Sequence, residues 1–219
     1  MNHHIPLDIF IPPASDAFSD INLVLSSNWD GLNSGAFAIR VDPWSVSFLS
    51  LVLAYPIYEW ERLQHDPFRD QSAFQWLLTN HDSPLSRQSG EGRQHWVDVP
   101  MRWFNSLPFN NPFDKEGKWI FRHPMTSELF DKGTTEVYDD GLGPAVQPSK
   151  IMQGDMVAHL AGSSHVRESW MQPWLDRAEA QLPEWCNATK ILEFEKDAYD
   201  FWAKISVVRR VESTDARAS

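Results

Sequence analysis

The chain has 219 residues, a formal net charge of −11, 11 Trp, 13 Phe and one cysteine, Cys186. Its length suits one domain with its own core, and its negative charge argues against nucleic acid and anionic membrane surfaces as partners. A single cysteine excludes an internal disulfide and a cysteine-based metal site. Trp recurs beside polar residues, as in proteins that stack sugar rings on indole, although core packing explains any single Trp more simply. No apolar run is long enough for a transmembrane helix, and no signal-peptide pattern is present.

The first 41 residues predict extended structure and one tight turn. Prolines and alternating apolar residues indicate an extended edge over residues 1–20. Ile21–Leu25 predicts a short strand. The turn formers within Asp30–Gly35 precede an apolar run, Ala36–Val41, which predicts a glycine turn followed by a buried strand. This segment is either a plain loop–strand–helix junction or a ligand loop at a strand edge.

Two helices are predicted next, joined by a polar connection. Asp42-Pro43 is a typical N-cap followed by proline at the first helical position, and it predicts a helix over about 43–54 that ends at Tyr55-Pro56. Asp70 is the predicted N-cap of a second helix, Gln71–Leu78. The predicted inward-facing residues are Val46, Phe48, Leu49, Val52 and Leu53 in the first helix, and Phe74, Leu77 and Leu78 in the second.

The middle of the chain alternates polar loops with one strand. Residues 79–94 read as a solvated loop, and His95–Val99 reads as a strand that turns out at Met101–Asn105. Residues 106–150 are rich in Pro, Gly and Asp with poor periodicity, which predicts an irregular insertion. Insertions of this length usually cover a site or are disordered.

The last third predicts a strand and two helices. Met156–Leu160 is the predicted strand, and the helices cover about 165–181 and 188–208. The second helix carries an apolar stripe, and residues 209–219 are predicted to form a polar tail. Strands alternating with helices indicate an α/β fold. The stripe consists of Ile191, Phe194, Ala198, Trp202 and Ile205.

Three groups of residues could carry chemistry, and each has a simpler structural explanation. Asp70 and Gln71 at a helix start could hold hydroxyls or a developing positive charge, or Asp70 could be only an N-cap. His159, at the end of a predicted strand, could be a metal ligand or a satisfied structural histidine. Arg102 could pair with phosphate or carboxylate, or lie on the surface.

In order, these segments resemble the C-terminal half of the fungal galactosyl/mannosyltransferase family, glycosyltransferase family 34. The first motif is similar to G-L-N-[ST]-G-x-F-x-[IL]-R, followed by a W-S helix. A D-Q-[SA]-A helix start, a V-P-x-R-x-[FY]-N segment and a strand ending in H-x-x-G come next. They stand here as Gly31–Arg40, Trp44-Ser45, Asp70–Ala73, Val99–Asn105 and His159–Gly162.

The resemblance implies a GT-A fold with C-terminal helices, here a partial one covering residues 1–208. It implies a retaining, metal-dependent enzyme that moves a hexose, galactose or mannose, from a UDP- or GDP-sugar to a glycan acceptor. Such proteins are usually anchored in the Golgi membrane with the catalytic domain in the lumen. The anchor would lie outside this chain.

The same resemblance assigns roles to individual residues. Asp70 and Gln71 match residues beside the anomeric carbon, and His159 matches the distal histidine ligand of Mn²⁺. Asn33 and Gly35 match a loop that lines the sugar pocket. The neighbouring motif positions Ser34, Arg102, Asn105 and Gly162 complete the expected substrate-binding set.

The chain departs from the family pattern in two places, which leaves two functions open. The metal-binding D-x-D pair is expected just upstream of Met1, and Ser163, Ser164 and His165 stand where a basic residue commonly faces the diphosphate. Loss of two carboxylate ligands predicts weak metal and donor binding. The alternative to a hexosyltransferase is therefore a non-catalytic sugar-binding or scaffold pseudoenzyme. A metal hydrolase is a distant third, because His159 lacks partners at ligand spacing.

Overall fold

The structure is a computed structural model that describes residues 4–28, 31–66, 68–89, 95–107, 137–139, 144–146, 151, 155–160, 167–180 and 188–218. The chain divides into two compact units. The sheet unit comprises Ile11–Val99 and Phe201–Ser219, and the aromatic unit comprises Met1–Phe10 and Pro100–Asp200. Helices and strands occur together, which confirms the mixed α/β class.

The sheet unit contains a three-stranded sheet in the order β2-β1-β3, formed by β1 (Leu23–Asn28), β2 (Gly31–Ile39) and β3 (Trp96–Val99). β1 is antiparallel to β2 and parallel to β3. The predicted strands at residues 21–25 and 95–99 are thereby confirmed within two or three residues at their ends.

A bulge interrupts β2 where the sequence predicted a turn. Val24 of β1 pairs with Ala38 and Ser26 pairs with Asn33, so that Leu25 alone faces the four residues Ser34–Phe37. The Asn33 carboxamide oxygen accepts from the Gly35 backbone N–H at 2.7 Å, which closes a local turn within the strand. The turn residues therefore shape the strand rather than precede it.

Helix α1 (Pro43–Tyr58) begins as predicted but ends later. The Asp42 carboxylate accepts from the Trp44 backbone N–H at 2.8 Å, which confirms the N-cap. The predicted end at Tyr55-Pro56 is wrong, because the helix continues past the proline. Pro56 removes the backbone hydrogen bond to the Val52 carbonyl. One turn earlier, the Tyr58 hydroxyl donates to the Leu51 carbonyl at 2.7 Å.

The inward face of α1 differs from the predicted one. Phe48 is fully buried, but Val46 is 62% exposed, Leu53 is 80% exposed and Leu49 is 37% exposed. The helix is apolar around its whole circumference, so periodicity could not identify the inward face. Only contacts with neighbouring elements decide it; the buried residues of α1 are Trp44, Ser45, Phe48 and Tyr55.

Three further helices of the sheet unit follow α1 in the chain: α2 (Trp60–Leu63), α3 (Asp70–Thr79) and α4 (Pro84–Ser89). α3 packs against β2 and α1, and its predicted inward residues are confirmed as buried. The predicted polar connection contains the short helix α2, and the predicted solvated loop contains α4. In α4, Leu85 is buried in the core. The core cluster comprises Leu23, Leu25, Leu32, Trp44, Phe48, Phe74, Leu77, Leu78 and Leu85.

The aromatic unit is built around four buried rings. The Phe10 ring lies 5.2 Å from that of Trp103, 5.3 Å from that of Phe104 and 5.4 Å from that of Phe194. Tilted and edge-on ring pairs at these distances stabilise a core beyond simple burial. Phe10 ends a 3-10 helix, Leu7–Phe10. The extended edge predicted for residues 1–20 is therefore wrong.

The remaining elements of the chain differ partly from the prediction. A short hairpin, β4 (Val137–Asp139) and β5 (Pro144–Val146), lies within the predicted irregular insertion. Residues 156–160 are irregular rather than a strand, because the described segment forms no ladder. Helices α5 (Arg167–Ala180) and α6 (Ala188–Ala218) are confirmed, but α6 extends through most of the predicted polar tail.

Candidate functional site

The sheet unit brings two predicted motifs into direct contact. The Ser34 hydroxyl, from the bulge of β2, donates to the Asp70 carboxylate at 2.7 Å. These residues are 36 positions apart in sequence, and α3 packs against β2 at this point. Asn33, Ser34, Gly35, Asp70 and Gln71 are thus supplied by one strand and one helix start.

Asp70 is not the N-cap that its position suggested. α3 begins at Asp70 itself, and the preceding Arg69 has φ 41° and makes no side-chain cap. A positive φ at a non-glycine residue is strained, and such strain often accompanies functional positions. The Asp70 side chain is exposed and is held by Ser34 instead of by the helix backbone. An exposed anionic group at a helix start is available to a ligand.

Asn33 has mainly a structural contact in this arrangement. It is 3% exposed, and its side-chain oxygen is occupied by the Gly35 backbone. Gly35 itself is exposed. Asn33 therefore shapes the bulge from which Ser34 reaches Asp70.

The aromatic unit contains Arg102, Asn105 and His159. The Arg102 guanidinium donates through Nε and Nη2 to one oxygen of Asp155, at 3.0 and 2.6 Å. The other oxygen of Asp155 accepts from the Ser106 hydroxyl at 2.8 Å. The Asp155 side chain is fully buried and that of Arg102 is 28% exposed. Arg102 therefore neutralises a buried carboxylate, whatever else it contacts.

His159 and Asn105 are fixed by backbone contacts in the same unit. The His159 N–H donates to the Ser106 carbonyl at 2.7 Å, and the buried Asn105 donates its N–H to the Met101 carbonyl at 2.8 Å. Gly162 lies outside the described residues. The predicted site residues thus fall into a sheet-unit group and an aromatic-unit group.

Within the described ranges, no group of three or more His, Cys, Asp or Glu side chains is placed to hold a metal ion. His159 is thus one potential ligand, and the described residues do not by themselves fit Mn²⁺, which is typically held by several oxygen and nitrogen ligands. Over the same residues, no helix combines the length and hydrophobicity needed to cross a membrane.

Sequence reasoning missed two kinds of site residue. Asp155 gave no signal, because its partner Arg102 is 53 positions away. Gln75 and Trp76 line a cleft together with Gln71 and Ser72. They follow Gln71 and Ser72, respectively, by four positions on α3, so a helical projection from the D-Q motif could have indicated them.

Comparison with known proteins identifies the family. Neither the curated proteins nor the solved structures include a significant match to this chain. The family model for galactosyl transferases of the GMA12/MNN10 type, glycosyltransferase family 34, matches residues 8–170. The matched segment is more than half of the chain and contains the contact between the N-S-G and D-Q motifs. The chain therefore belongs to the galactosyl transferase GMA12/MNN10 family.

Proposed function

We propose that the chain is a GT-A-like hexosyltransferase that moves galactose or mannose from a UDP- or GDP-sugar to a glycan acceptor, with retention at the anomeric carbon. The observation that carries this proposal is the hydrogen bond from Ser34 to the exposed carboxylate of Asp70, inside the family match. This bond joins, within the sheet unit, the two motifs to which the family resemblance assigns catalytic and sugar-pocket roles.

The chemistry of the transfer accounts for an exposed, oriented carboxylate. As the bond between the anomeric carbon and the diphosphate lengthens, positive charge develops on the sugar ring. A fixed carboxylate at Asp70 stabilises this charge because it is aimed before the reaction begins. The Ser34 hydrogen bond orients one carboxylate oxygen and leaves the other for the substrate.

Gln71 supplies neutral hydrogen bonds beside Asp70. Its amide can both donate and accept, as an acceptor hydroxyl does. When the acceptor oxygen bonds to the anomeric carbon, its proton leaves with the nucleotide diphosphate. In this proposal Gln71 positions the acceptor, and the bulge around Gly35 lines the sugar pocket.

Metal dependence and a Golgi location are supported by the family alone. Mn²⁺ would supply neutralisation of the diphosphate leaving group, with His159 as one ligand. Since the described residues do not form a complete metal site, the steps above use only side chains of this chain.

Calorimetric titration of the chain with UDP and with GDP, each with and without Mn²⁺, tests the proposal. We expect one nucleotide to bind in the presence of Mn²⁺, and His159→Ala to weaken that binding. His81→Ala, which removes an exposed histidine from the sheet unit, is the control. Absence of nucleotide binding by the folded chain would contradict the proposed hexosyltransferase function. Saccharide binding without nucleotide binding would instead support the non-catalytic sugar-binding protein.

A further inference from the structure

A cleft runs along the face of α3 that begins at Gln71. It has a volume of about 370 Å³, within the ~300–1,000 Å³ range of small-molecule sites. Gln71, Ser72, Gln75 and Trp76 line one side of it. All of its lining residues lie in the sheet unit.

The α3 side of the cleft offers uncommitted polar groups. In the part of the chain that the structure describes, no hydrogen bond engages the side chains of Gln71, Ser72 or Gln75. Gln75 stands four positions after Gln71 and three after Ser72, so its side chain neighbours both of them on the helix surface. Amides and a hydroxyl that donate and accept are suited to a ligand rich in hydroxyl groups.

Other residues that line the cleft supply aromatic surface and a buried hydroxyl. The Phe68 ring is 44% exposed, whereas Tyr55 is 1% exposed. The Tyr55 hydroxyl is buried and has no hydrogen-bond partner among the described residues, in contrast to that of neighbouring Tyr58. Because Tyr55 has almost no accessible surface, the Phe68 ring rather than the Tyr55 hydroxyl is what a ligand in the cleft can contact.

The charges of the cleft are balanced. Arg62 and Asp66 are the charged residues among those that line it. Arg62 already pairs with Glu59 at 3.4 Å, so these residues do not give the positive field that favours a nucleotide diphosphate. A neutral ligand fits this wall better.

We propose that this cleft binds a neutral saccharide and forms the acceptor side of the site, with a pyranose face on Phe68 and Trp76. This proposal rests on the proposed function, since Gln71 belongs to both sites. The ring carbons of the sugar pack on the aromatic side chains, and its hydroxyls exchange hydrogen bonds with the side chains of Gln71, Ser72 and Gln75.

Titration of the whole chain with mannobiose and galactobiose, followed by tryptophan fluorescence without nucleotide, tests the proposal. Phe68→Ala removes an exposed ring and should weaken binding about fivefold or more. Gln75→Ala removes an exposed amide that lines the cleft and should weaken binding about threefold to tenfold without loss of folded protein. Trp60→Ala, an exposed aromatic outside the cleft lining, should leave binding unchanged.

The outcomes separate this proposal from the transferase itself. The proposed cleft is supported if Phe68→Ala and Gln75→Ala both weaken saccharide binding and Trp60→Ala does not. If neither variant changes saccharide binding, the proposal about the cleft is wrong, and the proposed transferase function is unaffected. If the chain binds a nucleotide but no disaccharide, the proposal about the cleft is likewise wrong and the transferase proposal is unaffected. Failure to bind either class of ligand overturns both proposals.

Discussion

Replacement of Arg102 by methionine should strongly destabilise the chain. Methionine keeps much of the aliphatic volume but removes the two hydrogen bonds to Asp155, at 3.0 and 2.6 Å. The Asp155 side chain is 0% exposed, so its carboxylate would remain buried without the guanidinium cation. Removal of one partner from a buried ion pair typically costs about 3–5 kcal/mol.

The partial exposure of Arg102 reduces the expected cost. At 28% exposure its guanidinium already contacts solvent, so the lower end, about 3 kcal/mol, is the expected loss of unfolding free energy. For a chain of this size about 1 kcal/mol corresponds to roughly 2–4 °C, so the melting temperature should fall by roughly 6–12 °C. The position of Arg102 over the Phe194 ring adds a smaller contribution in the same direction.

Urea unfolding and thermal melting of wild type and Arg102→Met provide the test. Lys196→Met is the matched control, because Lys196 and Asp200 form an exposed ion pair on α6, and no measurable change is expected there. The double variant Arg102→Met/Asp155→Leu should recover much of the stability, since it removes the buried charge as well. A loss below about 0.5 kcal/mol in Arg102→Met would refute the reasoning about this pair.

Three smaller predictions concern the sheet unit. Gly31 has φ 102°, so Gly31→Ala should cost about 1–2 kcal/mol of unfolding free energy in urea titration; an unchanged midpoint would contradict this strain. Desolvation beside β1 raises the pKa of Asp98 above 3.8, against the opposing hydrogen bonds from Ser27. The folded state then holds this proton more tightly, so stability should fall as the pH rises from about 3.8 through the folded pKa, and Asp98→Asn should flatten that slope; an equal slope would exclude Asp98 as its source. Ser34→Ala should lower the unfolding free energy by less than about 1 kcal/mol and still reduce the rate of hexose transfer. If the loss of transfer merely follows the loss of folded protein, the contact with Asp70 serves folding alone.

Local signals in the sequence predicted where helices and strands lie better than they predicted which side of a helix is buried. The Asp42-Pro43 cap, the strand at residues 95–99 and the buried face of α3 are confirmed, because each depends on residues close in sequence. The inward face of α1 was not predictable, since every side of that helix is apolar. Only its packing against α3 and α4 selects Phe48 for the core.

The candidate site shows the same division between local and distant information. The motifs that carry the family resemblance named Ser34 and Asp70, but their hydrogen bond depends on a β-bulge that turn chemistry alone did not place inside a strand. The Asp155 partner of Arg102 and the unpartnered Tyr55 hydroxyl arise from tertiary contacts between distant segments. Neither has a sequence signature.

A transfer assay tests the central claim most directly. The chain is incubated with UDP-galactose or GDP-mannose, Mn²⁺ and an oligosaccharide acceptor, and the elongated product is measured by mass spectrometry. We predict slow transfer from one donor, in keeping with the weak metal and donor binding expected from the sequence. Asp70→Asn should reduce this transfer about 100-fold or more. Asp82→Asn, whose carboxylate is exposed between α3 and α4, should transfer at the wild-type rate. Transfer by Asp70→Asn at the wild-type rate, or no product from either donor with folded wild-type chain, would contradict the account.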